Sequence, residues 1–284
     1  MNDNYTYKFG NITHDLNSRT FIMGILNVTP DSFSDGGLYL RPEAAVVRAK
    51  QIESEGADFI DIGGQSTRPG AEEISAEEEM KRVIPVLKAL AKEIRIPMSI
   101  DTYRSEVAEE ALKCGALIVN DISALNFDKD MAKVISKYKA SAILMHIKGT
   151  PRDMQVNPEY HDLIAEVLTY LENGMWKANV EGIDQIIIDP GIGFGKSVEH
   201  NLYLIKNMYE FKKLDCPIML GISRKSLIGK IDGSDINERL SGTIALNTIS
   251  ILNGVNILRV HDVKEAVRAA RIVDEYKNLS KQNW

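Results

Sequence analysis

Cysteine is scarce in this chain of 284 residues, which contains only Cys114 and Cys216. The two lie far apart and form no Cys-x-x-Cys pair, which argues against a disulfide framework and a cysteine-ligated zinc site. The five histidines show no metal-ligand spacing such as His-x-x-x-His either. We therefore expect each cysteine to act as a small apolar filler.

Long apolar runs and an excess of basic residues are missing too. No stretch approaches the roughly 18 apolar residues of a membrane span, and the polar first ten residues do not resemble a signal peptide. Lysine and arginine number 34 against 40 acidic residues, which gives a formal net charge of −6. A general nucleic-acid binder usually carries the opposite balance. We expect a cytoplasmic protein that binds neither membranes nor nucleic acids, although this balance does not exclude a local anion site.

The sequence does contain eight short apolar runs that alternate with helical patterns such as 42–55, 76–91, 104–114 and 237–253. The runs predict strands at 21–27, 59–63, 98–101, 117–121, 142–146, 185–189, 218–221 and 256–261. Both faces of each strand are apolar, as in a parallel sheet covered by helices, and eight units favour a closed barrel. We predict an α/β fold, a single-domain (β/α)₈ TIM barrel over residues 1–284, with a short hairpin around 5–19.

Polar residues end nearly every predicted strand. They are Asn27, Asp61, Asp101, Asn120, Asp121, His146, Asp189, Ser223, Arg224, Lys225, Arg259 and His261. Polar groups at the ends of apolar strands are costly to bury without partners, and the carboxyl ends of barrel strands carry active sites. Asp101, Asn120 and Asp189 suit the N–H edge of a flat heterocycle. The residues that could bind an anion are Asn27, Arg68, Arg259 and His261. This pattern predicts a ligand with a heterocyclic head and a phosphate-like tail.

Three glycine-rich loops have sequences that suggest a function. Those at 28–37 and 63–70 are long and rich in glycine, proline and serine, so they could close as lids or form passive turns. The segment GIGFGKS at 191–197 looks like a phosphate loop. Only three residues separate Gly191 from Gly195, however, whereas the nucleotide-binding pattern has four. We therefore expect no nucleoside-triphosphate site in this third loop.

Several segments together resemble the signatures of the dihydropteroate synthases. The first is GILNVTPDSFSDGG at 24–37, and the second is DIGGQSTRPG at 61–70. Further matches are SIDT at 99–102, VNDIS at 119–123, LMH at 144–146, KGTPRDMQ at 148–155, DPGIGFGK at 189–196, GISRKS at 221–226 and RVHD at 259–262. The resemblance covers essentially the whole barrel in order. One departure is Gln65, where the second signature often has Glu.

The resemblance implies a transferase of folate biosynthesis. It would join the pyrophosphate ester of 6-hydroxymethyl-7,8-dihydropterin to p-aminobenzoate, giving 7,8-dihydropteroate and pyrophosphate. Positions that match the pterin site are Asp101, Asn120, Met145, Asp189, Lys225 and Arg259. Positions that match the p-aminobenzoate site are Phe33, Thr67, Pro69, Phe194, Lys225 and Ser226. Positions that match the pyrophosphate site are Asn27, Arg68, Arg259 and His261, with Mg²⁺ coordinated near Asn27.

The implied chemistry is a dissociative substitution without a covalent enzyme intermediate. Pyrophosphate leaves readily once Mg²⁺ and cationic side chains neutralise its charge, and the dihydropterin ring can delocalise the positive charge left behind. Asp35, an acidic residue of the first loop, could stabilise that cation. The expected catalytic residues are Asn27, Asp35, Arg68, Lys225, Arg259 and His261. Members of the family are sulfonamide targets and are usually homodimers.

Two alternatives share the pterin site. A pterin-binding methyltransfer domain would keep the carboxylates but would not need the two long loops or the groups around Ser226. A non-catalytic pterin-binding protein is also open, because a fold alone does not specify function. The full set of anion-binding residues argues against the second alternative, and a pyrophosphate-release assay separates it from an enzyme.

Overall fold

The computed structural model describes residues 5–29, 42–68 and 70–279. Its strands are β1 (Thr6–Phe9), β2 (Ile12–Asp15), β3 (Phe21–Asn27), β4 (Phe59–Gly63), β5 (Met98–Asp101), β6 (Ile118–Asp121), β7 (Ser141–Met145), β8 (Ile186–Asp189), β9 (Met219–Leu220) and β10 (Ile257–Val260). Strands β1 and β2 form an antiparallel hairpin. The other eight form one parallel sheet in the order β8-β7-β6-β5-β4-β3-β10-β9. Three of the predicted strands, β3, β4 and β5, have the bounds expected from the sequence.

The sheet closes into a barrel between its two outer strands. Ile188 of β8 forms a parallel bridge with Ile218, which directly precedes β9. The Ile188 N–H also donates to Pro217 O at 3.0 Å. Strand β9 is shorter than predicted, and Ile218, just before it, donates its N–H to the Asn256 side chain at 2.9 Å. The structure confirms the predicted (β/α)₈ barrel.

Helices cover the outside of the barrel. They are α1 (Pro42–Ser54), α2 (Ala76–Leu90), α3 (Ser105–Lys113), α4 (Met131–Lys137), α5 (Leu163–Val180), α6 (Val198–Lys206), α7 (Ser226–Asp232), α8 (Leu240–Leu252) and α9 (Val263–Asn278), with a 3-10 helix at Met208–Leu214. Buried residues such as Ile62, Val83 and Leu144 form the core between sheet and helices. None of the helices in the described ranges combines the length and apolar composition needed to cross a bilayer.

The barrel interior is apolar at its floor and polar at its mouth. Phe21, Phe59 and Ile187 belong to a buried cluster that the hairpin residue Phe9 closes from below, with its ring 5.0 Å from that of Phe59. Side chains two residues apart on a strand point the same way, so the position after Phe59 on the inward face of β4 is Asp61. The same step leads from Ile187 to Asp189. The interior therefore changes from apolar to charged within one layer of side chains, and it does so at the carboxyl ends of the strands.

Candidate active site

A cluster of carboxylates bridged by one guanidinium fills the mouth of the barrel. Asp61 is fully buried, and its Oδ2 accepts hydrogen bonds from Asn120 Nδ2 at 2.9 Å and Arg259 Nε at 2.6 Å. Arg259 Nη2 donates to Asp101 Oδ2 at 2.6 Å. The structure thus places Arg259 among the acids: it binds Asp101 directly, and it is linked to Asn120 through Asp61.

Several buried oxygens in this cluster have no hydrogen-bond partner within the described ranges. They are Asp61 Oδ1, Asp101 Oδ1 and Ser99 Oγ. Leaving a buried polar group unpaired costs about 1–3 kcal/mol. These acceptors therefore indicate a binding site for a molecule that presents several N–H donors.

Burial and charge set the protonation of the cluster. Burial raises the pKa of Asp101 to about 7; Arg259 opposes this increase, and Asp61 adds to it. Burial alone would lower the pKa of Arg259, but Asp61 and Asp101 raise it, so the guanidinium stays charged. Burial lowers the pKa of Lys225 to about 8, with Asp189 acting in the opposite direction. Both Asp101 and Lys225 therefore titrate close to neutral pH.

A turn after β8 connects the acid cluster to an apolar wall. Asp189 Oδ1 accepts a hydrogen bond from Gly191 N at 2.7 Å, so one carboxylate oxygen organises the turn. Lys225 Nζ donates to Ile192 O and lies 4.7 Å from the centre of the Phe194 ring. Phe194 in turn packs against a cluster of buried side chains that includes Met145. The turn brings together four predicted site residues: Met145, Asp189, Phe194 and Lys225.

His261 directly follows β10 at the mouth of the barrel. Ser223 Oγ accepts from the His261 backbone N–H at 3.2 Å and lies 3.1 Å from His261 Nδ1. In the tautomer in which the Ser223 hydroxyl donates to Nδ1, the Nε2–H is left to donate to an anion. Burial, together with the charges of Arg259, Arg224 and Arg68, lowers the pKa of His261 to about 4. The ring is therefore uncharged at neutral pH.

The remaining predicted residues fall into two groups. A Cβ placed on Gly63 would lie 3.6 Å from Asp101 Oδ2 and 3.9 Å from Asn27 Oδ1, so Asn27 borders the acid cluster. Thr67 and Arg68 lie in the segment after β4, and Ser226 is the exposed first residue of α7. Phe33, Asp35 and Pro69 lie outside the described residues, as does most of the first predicted lid loop.

Sequence reasoning assigned no role to three side chains that shape the site. They are Asp61, Ser99 and Lys196. The two-residue alternation on β4 and β5 was sufficient to place Asp61 and Ser99 on the inward face. Lys196 belongs to two segments that the sequence analysis singled out, 189–196 and 191–197, but neither pattern predicted its contacts with His146, just after β7, and with carbonyls of the turn.

Comparison with known proteins identifies the family. Residues 23–261 match the model of a family described as pterin binding enzyme. The chain is 47% identical to the dihydropteroate synthase of Synechocystis over 268 residues, which covers 93% of each protein. The chain belongs to the dihydropteroate synthase family. It is therefore an enzyme, a transferase of folate biosynthesis, as predicted, and the alternatives are not favoured.

Solved dihydropteroate synthases share the whole fold. The chain superimposes with a TM-score of 0.87 on the Clostridium difficile enzyme, determined in the presence of pteroic acid, at 45% identity over 95% of this chain and 98% of that one. The Yersinia pestis enzyme, in a sulfonamide drug complex, gives a TM-score of 0.91 at 39% identity over 96% of this chain and 99% of that one. The dihydropteroate synthase fold thus accounts for the complete barrel described above.

Proposed function

We propose that the barrel mouth makes 7,8-dihydropteroate with the pterin in the acid cluster, p-aminobenzoate beside Phe194, and the pyrophosphate near His261. The observation that carries this assignment is the set of unpartnered acceptors around Arg259, which includes Asp61 Oδ1 and Asp101 Oδ1. A pterin edge offers ring and amino N–H groups to such acceptors. The presence of pteroic acid, which contains both halves of the product, in the Clostridium difficile structure supports the same assignment.

The pterin would lie between the acids and the apolar wall. Asp189 uses Oδ1 to hold Gly191, so the ligand would meet its other oxygen together with Asp101 and Asn120. Met145 would contact one face of the ring, while Arg259 stays with Asp61. Because the carboxylates accept charge-assisted hydrogen bonds, they orient the ring as well as bind it.

The arylamine would lie beside the Phe194 ring. Lys225 contacts that ring and the Ile192 carbonyl, so its ammonium stands between the two substrate pockets. Thr67 and Ser226 would approach the carboxylate end of p-aminobenzoate, and Phe33 and Pro69 complete the pocket in this proposal. The sulfonamide bound to the Yersinia pestis enzyme supports the further proposal that this chain is a sulfonamide target.

The pyrophosphate site fits one Mg²⁺ ion held largely by the substrate. Among the described residues no group of three or more His, Cys, Asp or Glu side chains could hold a metal. Mg²⁺ often binds through one or two protein oxygens together with substrate phosphates and water, and Asn27 supplies such an oxygen beside Gly63. When bound there, Mg²⁺ would neutralise charge on the leaving group.

The residues of the chain divide the remaining work. Arg68 and the Nε2–H of His261 would donate to the departing pyrophosphate as the C–O bond breaks. The cation left on the exocyclic carbon is delocalised into the dihydropterin ring, with Asp35 proposed to stabilise it. The arylamine nitrogen then forms the C–N bond and releases its proton to water. Positioning suffices, because this amine attacks without a strong base.

We also propose that the chain is cytoplasmic and forms a homodimer. Both cysteines are free, as expected in a reducing compartment. Helices α8 and α9 expose large apolar side chains, among them Ile249, Leu252, Ile272 and Tyr276. Such a surface suits a subunit interface. Analytical ultracentrifugation should give twice the chain mass of 31.7 kDa, and a monomer at micromolar concentration would contradict the dimer.

The decisive experiment incubates the purified protein with both substrates and follows dihydropteroate and pyrophosphate. We expect turnover with Mg²⁺, its loss in EDTA, its recovery on adding Mg²⁺, and inhibition by a sulfonamide. Reactions lacking p-aminobenzoate serve as controls for spontaneous hydrolysis. Full turnover in EDTA would contradict the metal assignment alone, whereas absence of product with Mg²⁺ would contradict the proposed function.

A further inference from the structure

A lysine that none of the proposed steps uses lies buried behind the turn after β8. Lys196 is only 2% exposed, and its Nζ donates to Gly191 O at 2.9 Å and Phe194 O at 3.0 Å. Its third contact is Nδ1 of His146, at 2.7 Å, just after β7. An ammonium group has three N–H donors, and these three acceptors use all of them.

The contact with His146 is as enclosed as the lysine itself. His146 is 3% exposed, and its ring meets the Tyr170 ring edge-on, with 4.7 Å between their centres. Burial lowers the pKa of both His146 and Lys196 well below their ordinary values. A polar pair kept in so enclosed a place is costly unless every donor and acceptor is matched. The geometry provides that match through carbonyls of the turn.

The turn held by Lys196 also carries the groups that meet Lys225. Lys225 Nζ donates to Ile192 O and lies 4.7 Å from the Phe194 ring centre. Carbonyls 191 and 194 therefore bind the buried lysine, and carbonyl 192, between them, binds the lysine of the site. Displacement of Lys196 would free the two outer carbonyls and allow the Phe194 ring to move.

We propose that Lys196, together with His146, is a positioning residue that holds the Phe194 ring in place for the arylamine substrate. This inference rests on the proposed function and deepens it, because it assigns p-aminobenzoate recognition to a buried contact outside the pocket. Lys196 itself touches no substrate. Its removal should therefore affect the arylamine more than the pterin, because Asp101 and Asn120 are held through Arg259 and Asp61, outside the turn.

The test compares Lys196→Met with Lys177→Met in steady-state kinetics. Methionine keeps the length of the side chain but offers no donor to the two carbonyls. Lys177 is a matched control on α5, because it also donates to a carbonyl, Leu125 O at 3.3 Å, outside the turn. We expect Lys196→Met to raise the KM for p-aminobenzoate at least about tenfold, with the pterin Kd within about threefold of wild type. Lys177→Met should change neither.

A second pair of variants covers the case in which Lys196→Met fails to fold. His146→Asn retains an acceptor close to the position of Nδ1, whereas His146→Leu removes it. We expect the asparagine variant to keep a nearly normal KM for p-aminobenzoate and the leucine variant to raise it. Nitrogen NMR of the wild-type protein should show Nδ1 of His146 as an unprotonated, hydrogen-bonded nitrogen, which is a readout independent of activity.

The outcomes separate the inference from a merely structural role. Equal rises in both substrate constants, no rise in either, or equal behaviour of His146→Asn and His146→Leu would overturn it. A protonated Nδ1 without a hydrogen bond to Lys196 would overturn it too. Failure of the wild-type enzyme to make dihydropteroate would instead refute the proposed function, even with the NMR signature intact.

Discussion

The turn at 190–196 and the segment at 64–75 both follow barrel strands, both contain glycine with positive φ, and both carry predicted arylamine contacts. They differ in how the rest of the protein holds them. The turn after β8 is bound by side chains at successive backbone positions. The segment after β4 is bound at a few separated points, with Thr67 and Arg68 between them. Among the described residues, this contrast indicates that one wall of the proposed arylamine site is preformed and the other can adjust.

Five side chains bind the backbone of the turn in addition to Lys225. Gly191 N donates to Asp189, and Lys196 occupies carbonyls 191 and 194. The remaining contacts are Gly193 N to Asn201 Oδ1 at 2.7 Å, Gln155 Nε2 to Gly193 O at 2.7 Å, and Tyr160 OH to Gly195 O at 2.8 Å. Together with the contact of Lys225 at Ile192 O, each backbone position from 191 to 195 has a side-chain partner.

The segment after β4 has fewer such contacts in the part of it that the structure describes. Arg82 donates to Gly64 O at 3.1 Å, and Arg104 donates to Ile74 O at 2.7 Å. Gly70 N donates to Pro151 O at 3.3 Å. Exposed backbone with few buried partners opens locally at low free energy. Amide hydrogen exchange should therefore be faster at 66–68 than at 191–195.

Substituting one glycine in each region should give the largest difference in the free energy of unfolding. Gly191 has φ +72°, and a Cβ there would lie 1.9 Å from His146 O; Gly70 has φ +75°, with no described atom within 4 Å of its Cβ. We expect Gly70→Ala to cost the backbone strain alone, about 1–2 kcal/mol. Gly191→Ala adds a backbone clash and should cost more than about 4 kcal/mol, with loss of activity. Urea unfolding measures both, and equal costs would show that the turn is not rigid.

The next largest effect is on pterin affinity, and it comes from a substitution that keeps the hydrogen bond to the turn. Asp189→Asn can still accept the Gly191 N–H but would present an N–H to the donors of the pterin. We expect pterin affinity to fall by about 3 kcal/mol, roughly 100-fold, with the fold intact. Asp162→Asn is the matched control, since Asp162 also accepts a backbone N–H, from Ala165 at 3.0 Å, but caps α5 outside the site. Calorimetry that finds normal pterin affinity in Asp189→Asn would refute the assignment.

The sequence was sufficient for the barrel and for the members of the acid cluster. Strands of a parallel barrel are apolar runs of limited length, and a polar residue at the carboxyl end marks where the apolar interior gives way to the polar mouth. The register of neighbouring strands then places Asp101 opposite Asn120, as their pairing in β5 and β6 shows. Local patterns could therefore predict which residues gather at the mouth.

Sequence patterns could not predict which partners those residues choose. Arg259 was expected at the pyrophosphate and the pterin, yet the structure shows it bridging Asp61 and Asp101, on strands far away in the chain. The contact between Lys196 and His146 likewise depends on how the turn folds back over β7. Such pairings are decided by side-chain rotamers and burial, which alternation along a strand does not encode.

A smaller effect is the pH dependence of the preformed side of the site. Burial raises the pKa of Asp101 to about 7 and lowers that of Lys225 to about 8. Pterin binding needs the Asp101 carboxylate, and the ammonium of Lys225 is needed between the two proposed substrate pockets, so kcat/KM should rise through about pH 7 and fall through about pH 8. At pH 9 we expect a loss of about tenfold.

Replacement of Lys225 by arginine tests the alkaline side of this profile. Arginine stays charged, so Lys225→Arg should shift the decrease to higher pH, whatever its effect on the maximum rate. His261 should contribute nothing between pH 6 and 9, because its pKa is lowered to about 4. An unchanged alkaline limb in Lys225→Arg would assign that limb to another group, such as a substrate.

The smallest effect concerns Gln65, which anchors the start of the adjustable segment. Its Nε2 donates to Tyr103 OH at 2.9 Å, and its Oε1 accepts from Arg104. Arg104 also binds Glu79 Oε2 at 2.5 Å and Glu73 Oε1 at 2.9 Å. A glutamate at position 65 would place a third carboxylate around one guanidinium. It would also accept the hydrogen bond that the Tyr103 hydroxyl now donates to Glu73, at 3.2 Å.

We therefore expect Gln65→Glu to lower the free energy of unfolding by no more than about 1 kcal/mol, because the new charge lies at a partly exposed site. Tyr103→Phe should cost about 1 kcal/mol through the lost hydrogen bonds. Since the two side chains touch, the double variant should lose about 0.5 kcal/mol less than the sum of the single losses. Urea unfolding of the four proteins measures this coupling. Strict additivity would mean that Gln65 and Tyr103 do not form a unit, and that the contacts of Gly64, Gly70 and Ile74 hold the segment after β4 without them.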